Sequence, residues 1–164
     1  MHHACSPPHG FFTFTSRYLR HIAADLRTPG KVPIDKFIIH KGLTKDPKDY
    51  ADAKNQPHVQ VAMRMRAAGK SVKALDTIPY IVCLDGTSNG ATNRAYHPDD
   101  VRKGQKGLEI DVDYYIKNQL HPVVARLLDP IDGTDSGQIA ECLGLNPAEF
   151  LRVMSSYDTT HSDI

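Results

Sequence analysis

Glycine and proline divide this chain into segments too short for any long helix or strand. The sequence has 11 of each among its 164 residues, and several of them follow stretches of periodic apolar residues. Thr28-Pro29-Gly30 and Gly69 each end such a stretch, Pro122 interrupts another, and Gly144 follows a fourth. Because proline lacks the amide hydrogen that a helix interior needs and glycine favours helix ends, we expect short elements joined by turns. The length suffices for one domain with a core, or for a domain with appendages.

Two helices are predicted in the N-terminal half. Ser16 can cap a helix at 17–27. A second helix runs from His58 to about Ala68. At its start, Asn55 can act as the cap and Pro57 lies near the first turn. In both segments the apolar residues recur at helical spacing. They are Leu19, Ile22, Ala23 and Leu26 in the first helix, and Val59, Ala62 and Met63, with Arg66 beside them, in the second.

Three more helical segments are predicted after residue 110. The first starts near Asp111, and Pro122 must kink or split it after Leu120 because proline has no amide hydrogen to donate. Asp135 can cap the next helix. Asn146-Pro147-Ala148-Glu149 has the cap, the first-turn proline and the capping-box glutamate that begin a helix.

Extended structure is predicted in two places. Residues 32–40 are rich in branched and aromatic side chains, and residues 78–83 form a short strand. Asp85-Gly86 and Asn89-Gly90 are turn signals, so a hairpin-like excursion is expected over 78–96. The predicted fold class is therefore mainly α with a small β excursion, an α+β domain.

Cysteine usage and hydropathy exclude several classes of protein. Cys5, Cys83 and Cys142 are widely spaced and form no C-x-x-C pair. We therefore expect no thiolate zinc site, and we interpret Cys83 and Cys142 as buried structural thiols. No apolar run approaches the ~20 residues of a transmembrane helix, and no secretory signal is recognised. We expect no association with a membrane.

Charge is unevenly distributed although the net charge is only +1. Residues 36–73 contain seven Lys and two Arg against three Asp, a balance of +6. Residues 107–164 contain three basic and ten acidic residues, a balance of −7. The basic segment is suited to phosphate groups. From charge alone, an ordinary solvated surface is an equally open interpretation.

Three ordered blocks of sequence carry a family resemblance. The blocks are 38–62, with Gly42-Leu43-Thr44-Lys45-Asp46-Pro47; 80–96, with Arg94-Ala95-Tyr96; and 113–133, with His121-Pro122-Val123-Val124-Ala125-Arg126. They resemble family B DNA polymerases, and within that family the branch that extends primase-made primers. The resemblance covers roughly residues 16–153. Gly42 and the loop at 69–76 depart from the family pattern, which indicates divergence within the family.

The resemblance implies a domain organisation. Residues 1–15 match nothing in the family and are expected to be disordered or artefactual. Residues 16–45 would form the end of the palm and the palm–thumb junction, and 46–153 the helical thumb domain of a family B DNA polymerase. Residues 154–164 would be a flexible tail.

A polymerase thumb grips the primer–template duplex through phosphates and sugars, which carry no sequence information. By resemblance, the candidate DNA-binding residues are Lys41, Thr44, Lys45 and His58; charge alone adds Arg64, Arg66 and Lys70. The two arginines lie about 200° apart on a helix, so at most one of them would face the duplex. The alternative for Lys45 is a solvated loop lysine, and the alternative for His58 is a first-turn histidine that satisfies its own helix end.

Two features of the third block are interpreted as structural. Tyr114, Tyr115, His121 and Arg126 would mainly pack and form hydrogen bonds inside the domain, with duplex contact as the lesser alternative. Asp132-Gly133-Thr134-Asp135-Ser136 looks like the family's catalytic motif, Tyr-Gly-Asp-Thr-Asp-Ser. It lacks the aromatic residue and reverses the Asp-Gly order. We interpret it as a turn followed by a helix cap.

Phosphoryl transfer by such a polymerase requires metal ions held by paired carboxylates. We recognise no such motif, no P-loop and no hydrolase motif here, and we expect no catalytic residue, metal site or cofactor in this segment. Magnesium is expected for the parent polymerase.

The expected function is a polymerase fragment that binds a primer–template DNA or RNA–DNA duplex. The parent would act in the nucleus with primase and an accessory subunit. The alternative is a non-enzymatic interaction module whose acidic C-terminal helices bind another replication protein.

Overall fold

The structure is a computed structural model that describes residues 11–104, 107–128, 130–131 and 133–150. Contacts divide the described chain into two compact units. The sheet unit comprises residues 26–115, and the helical unit comprises the described residues before 26 and after 115. No helix among the described residues is long and apolar enough to cross a membrane. The expected tail at 154–164 lies outside the described residues.

A small antiparallel sheet organises the sheet unit. Its long strand is β2, Thr77–Leu84, which pairs with β1, Ile39–Gly42, in the register Ile39↔Tyr80. β3, Ala95–Tyr96, and β4, Glu109–Ile110, pair with the C-terminal half of β2. The middle of β2 is therefore enclosed by other strands, and its residues 80–83 are buried.

Tyr115 completes the pairing of β2 where β1 stops. Continuing the register Ile39↔Tyr80 by two residues places Phe37 opposite Val82, but the chain at Ile34–Phe37 is a 3-10 turn. The buried Tyr115 hydroxyl accepts a hydrogen bond from the Val82 amide at 2.9 Å and donates one to the Phe37 carbonyl at 2.7 Å. A side chain thus replaces the missing backbone hydrogen bond, as buried backbone groups require.

A second buried polar group ties β2 to the helix that carries Tyr115. Asp111 caps α4, Val112–Tyr115, by accepting a hydrogen bond from the Tyr114 amide at 3.0 Å. Its other carboxylate oxygen accepts from the Arg94 guanidinium at 2.7 Å, and the two side chains are only 11% and 14% exposed. The same Arg94 nitrogen donates to the Cys83 carbonyl at 2.9 Å. This charge pair is satisfied on both sides, which a buried ion pair needs in order to be tolerated.

Helix α2, Pro57–Ala67, packs against β2 and β3 and contributes His58, Val59, Val61 and Ala62 to the buried interior. Gly69, at φ +81°, ends the helix as predicted. The Gly69 amide donates to the Arg66 carbonyl at 2.9 Å, and the Lys70 amide donates to the Met65 carbonyl at 3.0 Å. This hydrogen-bond pair is the usual left-handed helix end that glycine permits. The short helix α3, Pro98–Arg102, follows β3.

The helical unit contains the remaining helices. They are α1, Phe11–Arg27, most of which lies in this unit; a π-helical segment, Ile116–Leu120; α5, His121–Leu128; α6, Ser136–Cys142; and a 3-10 turn, Pro147–Glu149. Leu19 and Ala23 of α1, Ile116, and Ile139, Ala140, Cys142 and Leu143 are buried. The His121 ring nitrogen lies 2.9 Å from the Ser136 carbonyl oxygen, which links α5 to the start of α6.

The predictions made at Pro122, at Asp135 and for two of the cysteines are confirmed. The π-helical segment ends directly before α5, whose second residue is Pro122, so the missing proline amide is accommodated by a local change of helix type. Asp135 and Gln138 form the capping box of α6, which supports the interpretation of 132–136 as a turn and cap; Asp132 itself lies outside the described residues. Cys83 and Cys142 are buried, and burial raises the pKa of the Cys83 thiol to about 12.

Four local predictions are wrong. Ser16 does not cap α1, because the helix begins at Phe11 and the buried Ser16 hydroxyl donates to the Thr13 carbonyl at 3.0 Å. Asn55 does not cap α2, because it belongs to a 3-10 turn and Gln56 precedes the helix. Residues 34–37 are not extended. Met63 is 44% exposed, since it lies about 120° from the centre of the buried arc of α2.

Replacing Tyr115 with Phe should destabilise the sheet unit. The substitution keeps the ring but leaves the Val82 amide and the Phe37 carbonyl without their partner, at a cost of about 2–4 kcal/mol in the free energy of unfolding. Urea unfolding followed by circular dichroism measures this difference. Tyr18→Phe is the control, because Tyr18 is 59% exposed and should change little. Equal stability of Tyr115→Phe and the unsubstituted chain would contradict the bridging role.

His58 should make folding sensitive to mild acid. Burial is the main cause that lowers the pKa of His58, and the nearby Lys41 charge lowers it further. The folded state therefore disfavours protonation of this ring. The unfolded chain has an ordinary histidine pKa near 6.5. Stability contributed by neutral His58 is therefore present above pH 6.5 and falls as the pH drops below it, because the unfolded state then binds more protons. His58→Leu should reduce this loss between pH 6.5 and 5 in chemical unfolding.

The control for that measurement is His40→Leu, because His40 is exposed on β1. It should retain the acid sensitivity of the unsubstituted chain. Part of the sensitivity should persist in His58→Leu, since burial also lowers the pKa of His97. An unchanged pH profile in His58→Leu would refute the assignment to His58.

Candidate nucleic-acid interface

The segment that follows β1 carries three of the predicted DNA-binding residues. Lys41 lies on β1, and Thr44 and Lys45 follow it; all three are exposed. Backbone pairing continues past the strand, because the Leu43 amide donates to the Asp76 carbonyl and the Leu75 amide donates to the Leu43 carbonyl, both at 2.9 Å. The loop at 43–46 therefore lies beside the turn at 73–76.

Tyr50 fixes the backbone at Thr44. Its hydroxyl oxygen accepts a hydrogen bond from the Thr44 amide at 2.7 Å and lies 3.0 Å from the Thr44 hydroxyl. The Lys45 ammonium lies 5.0 Å from the centre of the Tyr50 ring, within cation–π range. The hydrogen bond with Thr44 lowers the pKa of Tyr50, and the Lys45 charge contributes in the same direction. Tyr50 thus orients both candidate residues without covering them.

Asp46 and Arg66 connect the same loop to helix α2. Two Arg66 nitrogens donate to the two carboxylate oxygens of Asp46, both at 2.7 Å, and Arg66 also donates to the Val72 carbonyl from Nε at 2.9 Å. The Arg66 hydrogen bond, assisted by the Lys48 amide, lowers the pKa of Asp46 to about 2. This two-point pairing is the geometry that guanidinium and carboxylate favour. Arg66 is therefore engaged within the protein and braces the loop.

The other candidates from charge alone are also engaged, to different degrees. Arg64 donates to the Ala95 carbonyl, and its guanidinium carbon lies 4.9 Å from the centre of the Tyr96 ring. The Lys70 ammonium lies 3.9 Å from an Asp99 carboxylate oxygen, and both side chains are about half exposed. Exposed ion pairs of that kind are weak. Lys70 thus remains able to exchange its partner, whereas Arg64 is held against β3.

His58 does not present its ring to solvent. Its side chain is 2% exposed, its ring meets the edge of Tyr50 with centroids 6.1 Å apart, and its Nδ1 has no hydrogen-bond partner among the described residues. A contact with nucleic acid would require this part of the unit to open. In the structure, His58 packs against Tyr50, whose hydroxyl holds the Thr44 amide.

Sequence reasoning counted Lys73 in the basic segment but did not select it as a site residue. Pairing of β1 with β2 brings the turn that contains it beside the loop of Thr44 and Lys45. Lys41, Lys45 and Lys73 are all exposed, and none forms an ion pair within the part of the chain that the structure describes. The residues at 78–83 predicted a strand but not its pairing partner, so the sequence did not predict this proximity.

The arrangement supports anion binding by positive charge and hydroxyl groups. Ammonium groups, the Thr44 hydroxyl and a braced loop are suitable partners for phosphate oxygens. Among the described residues, no group of three or more histidine, cysteine or acidic side chains is arranged to hold a metal ion. The exposed ammonium and hydroxyl groups of this loop are thus chemically suited to an anionic partner.

Comparison with known proteins identifies the family. A sequence model of DNA polymerase family B matches residues 3–131, beginning upstream of the resemblance seen at 16. Related sequences are DNA polymerase alpha catalytic subunits. That of Xenopus laevis is 51% identical over 124 residues, 75% of this chain and 8% of the relative. That of Drosophila melanogaster is 46% identical over 74% of this chain and 8% of the relative, and that of Arabidopsis thaliana is 45% identical over 82% and 9%.

A solved structure extends the similarity to the fold. The family B DNA polymerase of the hyperthermophilic archaeon Pyrobaculum calidifontis matches with a TM-score of 0.59 and 26% identity, over 73% of this chain and 15% of that structure. The chain thus spans only a small part of the relatives that it matches, 8–9% of the three alpha subunits. Since both sequence and fold agree over most of its length, the chain belongs to DNA polymerase family B.

Proposed function

We propose that this chain contributes the end of the palm and the thumb domain of a replicative DNA polymerase, and that it binds the primer–template duplex through phosphates and sugars. Residues 16–45 would form the palm end and the palm–thumb junction, and residues 46–153 the thumb. The observation that carries the proposal is the group of exposed lysines around the end of β1. Lys41, Lys45 and Lys73 form no ion pair among the described residues.

These lysines suit a nucleic-acid duplex that is bound independently of its base sequence. A polymerase moves along every sequence, so its grip cannot depend on base edges. Phosphate contacts position a protein on a duplex and carry no sequence information. Lysine is a compact point charge on a flexible stem, which tolerates a sliding phosphate backbone better than a rigid two-point contact. The Thr44 hydroxyl, held by Tyr50, adds a fixed hydrogen-bonding group at the same place.

The activity of the whole polymerase is part of the same proposal. By relation to alpha catalytic subunits, the parent protein would extend primers on RNA–DNA and DNA duplexes in the nucleus. It would use magnesium and act with primase and an accessory subunit. The alpha-subunit relatives support a polymerase segment over a non-enzymatic interaction module.

Duplex binding should depend steeply on salt and weakly on sequence. If Lys41, Lys45 and Lys73 each neutralise one phosphate, the logarithm of affinity should fall with the logarithm of salt concentration with a slope of about −3. Fluorescence anisotropy with a labelled primer–template duplex, titrated between low and physiological salt, measures the slope. Lys45→Glu should weaken binding and reduce the slope by about 1.

Lys103→Glu is the matched control for charge. It makes the same change in net charge at an exposed residue that follows α3 and belongs neither to the loop at 43–46 nor to the turn at 73–76. It should bind duplex more tightly than Lys45→Glu and keep the original slope. If both variants lose affinity equally, the effect is one of net charge and the proposed interface is wrong. If a folded chain shows no duplex binding at low salt, the proposed function of this segment is wrong.

A further inference from the structure

Leu75 has a backbone conformation that leucine rarely adopts. Its φ is +72°, and it is the single non-glycine residue with positive φ among those the structure describes. A side chain with a Cβ atom is strained in this left-handed region, which glycine enters freely. Residues held in such conformations tend to lie where the protein contacts something else.

Two local hydrogen-bond patterns impose this conformation on Leu75. The Asp76 amide donates to the Lys73 carbonyl at 3.3 Å, so Leu75 is the third residue of a β-turn, where a positive φ is typical of type II. Asp76 and Leu75 also lie together opposite Leu43, which accepts from the Leu75 amide and donates to the Asp76 carbonyl, both at 2.9 Å. That is a β-bulge whose first residue is ordinarily glycine. Both patterns favour glycine where this sequence has leucine.

Burial within the chain does not offset the strain. The Leu75 side chain is 82% exposed, the highest value among the exposed large hydrophobic residues described. It does not belong to the hydrophobic core of the sheet unit. Because Leu75 lies outside that core and is mostly exposed, the contact that would offset its strain has to come from a surface outside the unit. The structure therefore gives the side chain no stabilising role of its own.

The surroundings of Leu75 indicate the chemistry of that surface. Lys73 belongs to the same turn, and the backbone pairing of Leu43 brings Thr44 and Lys45 alongside it. An apolar tip among exposed lysines complements a nucleic-acid duplex, whose phosphates flank a groove lined with sugar C–H groups. Proteins that bind the minor groove combine basic side chains with apolar side chains that enter the groove.

We infer that Leu75 is an apolar contact to the minor groove of the duplex, placed between the phosphate contacts of Lys45 and Lys73. The inference rests on the proposed duplex binding and deepens it. Its contribution is separable from charge, because leucine neutralises no phosphate and releases no counterion. It is also separable from folding. Glycine at this position relieves the backbone strain, whereas glycine and alanine both remove the apolar contact.

The experiment compares Leu75→Gly, Leu75→Ala and Leu127→Ala with the unsubstituted chain. Duplex affinity is measured by anisotropy across a salt series, and stability by thermal unfolding. Leu75→Gly should melt roughly 4 °C higher because the strain is relieved, yet bind duplex about five- to tenfold more weakly because the apolar contact is lost. Leu75→Ala should bind as weakly as Leu75→Gly without the gain in stability. Both variants should keep the salt slope of the unsubstituted chain.

Leu127→Ala is the control for the loss of an exposed leucine, since Leu127 is 68% exposed on α5. It should leave duplex affinity unchanged. Full affinity in Leu75→Gly and Leu75→Ala would overturn the inference, and with Lys45→Glu still weakened it would leave the proposed function intact. Equal losses in Leu127→Ala and Leu75→Ala would also overturn it. Absence of duplex binding by the unsubstituted chain would remove both proposals.

Discussion

The bridge made by the Tyr115 hydroxyl is the interaction on which the sheet unit depends. β2 has a different partner along each part of its length, and Val82 lies where β1 has ended and β4 has not begun. Without a partner, its amide would be a buried unsatisfied donor in the middle of the longest strand. Tyr115 satisfies that amide and the Phe37 carbonyl together, and the Val82 carbonyl accepts from the Asp111 amide at 3.1 Å. Segments 78 residues apart are thereby joined through one side chain.

The bridge also determines the position of the candidate interface. A slip of one residue between β1 and β2 would reverse which side chains face the core. Tyr115 opposes such a slip, because its hydroxyl fits only when Phe37 lies opposite Val82. The same register sets Leu43 beside Asp76 and so brings the loop of Lys45 next to the turn of Lys73. The hydrogen bonds of the Tyr115 hydroxyl and the proximity of Lys45 to the turn of Lys73 thus both depend on the same register between β1 and β2.

The sequence was sufficient for features that depend on near neighbours. The helix ends at Gly69 and Gly144, the disturbance at Pro122, the cap at Asp135 and the strand at 78–83 follow from residue chemistry within a few positions. Contacts between distant residues were not predictable in that way. Arg66 was a DNA candidate from its charge, and only the fold shows that Asp46, 20 residues away, engages it. His58 was a candidate from its place in a family block, and only the packing of α2 shows that it is buried.

Pairing within the protein decides which cations are available to a nucleic acid. The basic segment has a balance of +6, yet its two arginines are held by carbonyl and carboxylate oxygens and its lysines differ in their surroundings. Asp46 lowers the available charge by binding Arg66, but the same pairing fixes the loop that displays Lys45. Removing Asp46 would add to net positive charge and release the loop. The net charge of a segment is therefore a poor guide to its affinity for phosphate, because the carboxylate that reduces the charge also orders the lysine that remains.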